Sequence, residues 1–383
     1  HMTAVNVMLG TLGLAAVGSF SSNPYWQRLS GALGTTAKAA VAVAIVLGVA
    51  PLLFVQVIYD PFWYTSNVIS AWWLLGFLAV LTVAYLALYR WYGLNHSYAD
   101  DGMPSSRPGA PRGGFWLAGS LLLMIVCGAI MHAVVNQSLQ PAEWMNWYAP
   151  GGTIVPYGRE LHSLTIGRLA FFLLLSLPVT AAWLFGMRRY LLSSGETDYG
   201  YVDFIEGLAH AMAKAGAVLV LAAGALWMAA LPENMEWFRT SVWMWIALVP
   251  IAYFGAMSFI QKKRKLCIFC NYMAFGMTII MTIVLAAIRE VLRFVTLLDA
   301  AGWNALDYKI TMDWPSTAIF FVTFHVLGGL NLSYLLTLAW KSGQTKDLYT
   351  PSSGLTRVGT LAIASHICWV AGYFIIGWIV ING

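Results

Sequence analysis

The chain has 383 residues, 60% of them hydrophobic and only 10% charged, with 18 Trp, 18 Tyr and 19 Phe. That much apolar surface excludes an ordinary soluble domain and points to an all-α polytopic membrane protein, because a spanning backbone must satisfy its own hydrogen bonds. The formal net charge of +5 is explained by its distribution among the loops, so no nucleic-acid partner is expected.

Ten apolar runs predict spans near 2–19, 39–59, 69–91, 114–136, 163–187, 205–231, 240–260, 268–296, 316–340 and 358–381. There is no internal repeat, and the loops are too short for a separate soluble domain. The first residues, HMTAVNVMLG, already lie inside an apolar pattern. His-Met reads either as the scar of a removed tag or as native sequence in which His1 matters. If the first span runs from outside to inside, the inner loops hold Arg28, Lys38, Arg90, Arg107, Arg112, Arg188, Arg189, Lys262, Lys263, Arg264, Lys265, Lys341, Lys346 and Arg357. The outer loops are acidic, with Asp60, Glu143, Glu160, Glu233, Glu236, Asp299, Asp307 and Asp313. This asymmetry predicts a bundle of about ten transmembrane helices in a bacterial inner (cytoplasmic) membrane, with both termini periplasmic.

On that orientation, histidines and arginines gather in one leaflet. His132 falls near the outer end of the fourth span. His162 opens the fifth, in GRELHSLTIGR (158–168), beside Arg159, Glu160 and Arg168. His325, in TFHVLGGL, lies in the outer part of the ninth, and His1 would open the first. Arg289 and Arg293 fall near the outer end of the eighth. Ionisable groups in lipid are costly and face a cavity or a partner. Imidazole ligates haem iron and guanidinium pairs with propionate, so the set predicts haem b; interface anchors and interhelical hydrogen bonds are the bland alternative. His210 and His366 lie deeper, where a second haem, proton transfer or packing are all open. His96 is expected to be solvated in an inner loop. Zinc fits poorly, since closely spaced ligands are missing.

CIFC (267–270) follows KKRK, which places it at the cytoplasmic end of the eighth span, where thiols are expected to be reduced. Residue 271 is Asn, so the CxxCH signature of covalent haem attachment is absent. Cys127 and Cys368 lie in apolar runs and are expected to pack.

Three stretches carry a family resemblance. HMTAVNVMLGTLGLAA (1–16), FVQVIYDPFWYTSNVISAWW (54–73) preceded by VLGVAPLL, and GRELHSLTIG (158–167) are similar to the first, second and fifth helices of subunit I of the cytochrome bd quinol oxidases. The resemblance covers about residues 1–195 and is remote. It divides the chain into a bd-like haem-binding region, 1–195, and a C-terminal transmembrane region, 196–383. It implies that His162 ligates a low-spin haem b and that His1 ligates a second haem; the clustering of histidines adds His132 as a further residue binding that second haem. The family's low-spin haem also takes a methionine; at the comparable place stands Leu327, with His325 two residues earlier, so bis-histidine ligation by His162 and His325 is the expectation. Arg159, Arg289 and Arg293 would hold propionates.

The departures from the family shape the function expected. The third helix, NVISAWWLLGFLAV, has no acid for proton delivery, and only LPENMEWFRT joins the sixth and seventh spans where the family has a long quinol loop. The outer loops LQPAEWMNWYAPGGTIVPYG (139–158) and DAAGWNALDYKITMDW (299–314) are rich in aromatics, as an interface belt or a docking platform would be. The expected function is a membrane b-type cytochrome holding one or two haems b. It would pass electrons between the quinone pool and a periplasmic c-type cytochrome, or another redox subunit of a respiratory complex. This is quinol–cytochrome c type chemistry. The rival readings are a bd-like terminal oxidase, a haem-free transporter and a membrane scaffold subunit.

Overall fold

The computed structural model describes residues 1–98, 104–106, 111–263, 270–307, 314–345 and 349–382. The chain is a multi-pass helical membrane protein: among the described residues, ten helices are long and apolar enough to cross a bilayer. Contacts divide it into two compact units, His1–Tyr308 and Lys309–Gly383.

Unit 1 starts with α1 (Met2–Ser19), α2 (Pro24–Ile58), a short α3 (Asp60–Ile69), α4 (Ala71–Asn95) and α5 (Gly114–Gln137). Between α4 and α5 a small antiparallel ladder pairs β1 (His96–Tyr98) with β2 (Pro104–Ser106). A five-residue turn of helix, α6 (Trp144–Tyr148), precedes an irregular stretch. Then come α7 (Ile166–Leu174) and α8 (Ser176–Ser193), which together make one span, followed by α9 (Tyr199–Ala229), α10 (Val242–Lys263) and α11 (Cys270–Ala301). Unit 2 is a pair of packed helices, α12 (Trp314–Ser342) and α13 (Ser353–Asn382).

Local chemistry sets the helix starts. Asn23 caps α2 by accepting the Tyr25 N–H at 2.8 Å, with Pro24 at the first helical position. Asp198 caps α9 by accepting the Tyr201 N–H at 3.0 Å. Small residues let helices approach. Gly34 of α2 lies under the Trp91 indole of α4, and a Cβ on Gly216 of α9 would sit 2.6 Å from Pro178 of α8. Around these contacts Leu12, Leu29, Leu33, Leu88, Trp91 and Phe185 form a fully buried core.

Helix α2 begins fifteen residues before the apolar run at 39, and its 35 residues extend about 52 Å, more than a bilayer core of about 30 Å. Two cations expected in loops lie on it instead. Lys38 sits 3.4 Å over the Tyr92 ring, and Arg28 lies 4.0 Å over the Tyr201 ring and pairs with Glu196. His96 is corrected as well. It is buried, stacked 3.9 Å on Tyr92, with Nδ1 3.1 Å from the Tyr92 carbonyl. Cys270 is disulfide-bonded, contrary to the expected reduced thiol, while Cys267 lies outside the described residues. Cys127 is buried and free, and Cys368 is exposed and free.

Candidate functional site

The end of unit 1 that carries the acidic loops is built on a strained connection. Gln137, the last residue of α5, is wholly buried. Its Oε1 accepts the His162 N–H at 2.9 Å, and its Nε2 donates to Ser70 at 3.0 Å. Ser70 in turn donates to the Glu160 carbonyl at 2.7 Å. Next to Gln137, the Asn136 amide donates to the Ser163 carbonyl, the Ser163 hydroxyl and the Thr165 hydroxyl at 2.9–3.0 Å. These bonds hold Ser163 at φ 58°, among the described residues the only non-glycine in the left-handed region. Strain maintained by buried amides fixes the path of 158–165 and so the place where α7 starts.

That start delivers Arg168 into the protein. It is 3% exposed and donates through Nη1 to Asn136 Oδ1, while its Nε is buried without a partner among the described residues. Its guanidinium stands 5.5 Å from the Trp227 ring of α9. The charges of Arg289 and Arg293, from α11, act on it, and those of Arg168 and Arg289 act on His132 of α5. Arg293 is 3.0 Å from the Glu290 carboxylate and 5.3 Å from the Tyr59 ring. The charges of Glu290 and Arg293 also act on Tyr59. Arg289 has no hydrogen bond or ion pair among the described residues, only the Phe172 ring at 5.9 Å. His132 has the Thr165 main chain against its ring, and its Nε2 is buried without a partner among the described residues.

Arg289 is also the one charged residue lining a cavity of about 370 Å³ between α7, α9, α10 and α11. Phe171, Phe172, Trp227, Met228 and Met244 are among the apolar residues that line the rest of it. Three guanidiniums, one carboxylate and a shielded imidazole nitrogen therefore meet beside an apolar hollow. Such a site is short of negative charge and of an acceptor, and can take an acidic group attached to an apolar body.

Comparison of the chain with known protein families, curated proteins and solved structures yields no match. The site has to be read from its own geometry.

Of the residues singled out on sequence, the structure brings His132, Arg289 and Arg293 together. His162 is elsewhere, on the surface loop, stacked parallel to Trp147 at 5.0 Å with Nε2 3.9 Å from Glu160. Burial lowers its pKa and Glu160 works against that shift. Arg159 lies over Tyr157 at 5.3 Å, and its carbonyl accepts the Trp73 indole N–H at 2.8 Å. His1 lies against the middle of α2, with Nδ1 2.9 Å from the Ala44 carbonyl. Ala44 is fourteen residues short of Ile58, about 21 Å along the axis. His325 is in unit 2, exposed there, with Nδ1 2.8 Å from the Phe321 carbonyl. His366, also in unit 2, meets Asn331 at 3.1 Å. No group of three or more His, Cys, Asp or Glu able to hold a metal occurs among the described residues. Arg168, Asn136 and Glu290 are members of the site that sequence reasoning left out of its set. The signal for Arg168 was a guanidinium just inside a span, facing lipid unless partnered.

Proposed function

We propose that unit 1 is a b-type cytochrome of the bacterial inner membrane. It would carry electrons between the quinone pool and a periplasmic redox partner, such as a c-type cytochrome, within a respiratory complex. The observation that carries this reading is the Nε2 of His132, buried and without a partner among the described residues, under the charges of Arg168 and Arg289, with Glu290 taken up by Arg293.

The residues fit haem b on two counts. An imidazole with main chain against its ring and its far nitrogen shielded is the form a metal-ligating histidine takes. Two propionates would supply the negative charge that Arg168, Arg289 and Arg293 lack. When bound, haem b supplies a one-electron couple. The chain's own contribution is positional and electrostatic. Asn136 holds Arg168 in place, and Glu290 holds Arg293. The aromatic walls of the cavity exclude water, which strengthens every charge interaction inside. The guanidiniums bias a bound couple toward its reduced, more negative form. The loop 139–158, with Trp144, Trp147 and Tyr148, lies at the same end and offers aromatic surface for a partner.

A second reading shares the charge argument. An acidic lipid seated in the cavity would also satisfy Arg289 while leaving His132 unused. A dithionite-reduced minus oxidised spectrum with a pyridine haemochrome assay separates the two. Sharp b-type bands are expected in the wild type and lost in His132→Ala. Bands that survive in His132→Ala and vanish in His162→Ala would move the ligand to the loop. Folded protein free of haem would overturn the cytochrome reading in favour of the lipid.

A further inference from the structure

Helix α2 carries two cations that are held differently. Arg28 pairs with Glu196, and Asp198 stands 3.5 Å from its other terminal nitrogen. Lys38, further along the helix, has no hydrogen bond or ion pair among the described residues. It has only rings: its Nζ lies 3.4 Å from the centre of Tyr92 and 5.5 Å from that of Tyr89, both on α4. A ring face attracts an ammonium through its quadrupole, yet leaves the three N–H donors without an oxygen acceptor.

The depth of Lys38 follows from the two helices it joins. Contacts move down α4 as they climb α2: Gly34 meets Trp91, Lys38 meets Tyr89, and residues 42–46 lie opposite 81–85. The helices are therefore antiparallel. Residues 39–58 of α2 and 71–89 of α4 carry no charge, and each run is about 30 Å long at helical rise, the thickness of a hydrocarbon core. Lys38 immediately precedes the first run, and Arg90, which is exposed, immediately follows the second. Both cations thus stand at one boundary of the apolar layer, the one at the basic-loop end of unit 1.

One turn above Lys38 the seam between the same helices opens. A groove of about 380 Å³ is lined by Ala42, Ile45 and Val46 of α2 and by Leu81, Thr82 and Tyr85 of α4. Ile45 and Val46 are exposed, so it opens sideways, toward lipid. The two hydroxyls on its walls are already used: Thr82 donates to the Leu78 carbonyl and Tyr85 to the Tyr89 hydroxyl, each at 2.8 Å. The groove therefore takes an apolar body. Lys38, Ala42 and Ile45 are spaced i, i+4, i+7, and Thr82, Tyr85, Tyr89 and Tyr92 are spaced i, i+3, i+7, i+10. On both helices the groove and the ammonium share one face and form a continuous strip.

We propose that this strip binds an anionic phospholipid from the leaflet at the basic-loop end, with the phosphate on Lys38 and an acyl chain in the groove. Charge complementarity selects the class. Lys38 lacks an anion, and Arg90 adds positive charge at the same depth, so a lipid of net negative charge is held more tightly than a zwitterionic one. The excess of Lys and Arg in the loops at this end is the pattern of a cytoplasmic face, whose leaflet supplies such lipid. The stacked rings of Tyr85 and Tyr89, with centroids 4.4 Å apart, lie between headgroup and chain. The site is on different helices from the arginine cavity and does not depend on the haem reading.

The test uses the full chain in phosphatidylcholine nanodiscs that hold a small fraction of phosphatidylglycerol with a diazirine on its acyl chain. After illumination the adducts are mapped by peptide mass spectrometry. In the wild type they should concentrate on 42–46 and 81–85, and a phosphatidylcholine probe with the same diazirine should label these residues less. Lys38→Gln should lower labelling there by about fivefold, and Lys38→Arg should keep most of it. Ala42→Trp fills the groove, leaves the cation in place and should also lower labelling; Ala42 is exposed, so the core is undisturbed. Adducts spread evenly around the bundle, equal labelling by the two probes, or labelling unchanged in both Lys38→Gln and Ala42→Trp would overturn the proposal. So would labelling confined to 171–172 and 224–228 and lost in Arg289→Leu, which would place the lipid in the arginine cavity instead.

Discussion

The two ends of unit 1 both bury arginine, and they do so in opposite ways. At the basic-loop end Arg188 meets a carboxylate at 3.0 Å and an amide oxygen at 3.2 Å. At the other end Arg293 pairs with Glu290 and Arg168 with the Asn136 amide oxygen, while Arg289 has only the Phe172 ring among the described residues. A guanidinium within a span is unfavourable by roughly 2.5–3.5 kcal/mol even on the lenient insertion scale. Where its partners are in the chain, that cost is offset within the fold. Where they are not, the site is incomplete without something acidic. Charge balance, rather than the mere presence of buried charge, separates a clamp from a binding site.

Substitution of each arginine makes the comparison testable. Arg188→Leu removes the guanidinium of a buried ion pair. It should destabilise the protein by about 3–5 kcal/mol, read as a lower midpoint in denaturant titration of the purified protein. Arg289→Leu should do the reverse in ligand-free protein and stabilise it by about 2–3 kcal/mol, while weakening retention of the acidic ligand. If both substitutions destabilise equally, Arg289 has a protein partner and the difference between the two ends collapses. If Arg289→Leu is stabilising in ligand-free protein and destabilising in loaded protein, the ligand is the missing partner.

The sequence reveals the two ends unequally, for physical reasons. Ten spans could be read because lipid demands long apolar runs, and His132, Arg289 and Arg293 could be placed in one leaflet by counting along those runs. What could not be read is where a chain goes between spans. The stretch 158–165 has no periodicity, and only the amides of Gln137 and Asn136, with Ser163 held at φ 58°, turn His162 outward and send Arg168 inward. Charges also mislead about helix limits. Arg28 and Lys38 look like loop residues, yet they lie on α2 because Glu196 and the rings of Tyr201 and Tyr92 receive them. Asp60 and Pro61 resemble a turn, but start the short helix α3.

The smallest expected effect concerns the loop that the arginine cluster leaves outside. His162 packs on Trp147, and burial lowers its pKa below the ordinary 6.5 despite the nearby Glu160 carboxylate. The folded protein therefore binds fewer protons at this ring than the unfolded chain does. By linkage, its contribution to stability is fully present above pH 6.5 and is lost as the pH falls from there toward the folded-state pKa. NMR titration of the His162 ring should give a midpoint below that of a free imidazole. The thermal midpoint should fall modestly between pH 7 and pH 5.5, and fall less in His162→Gln. The same titration bears on the site as a whole. Bound iron would hold the imidazole neutral far below that window, so a ring that titrates normally in haem-loaded protein is not the ligand, and the assignment then rests on His132.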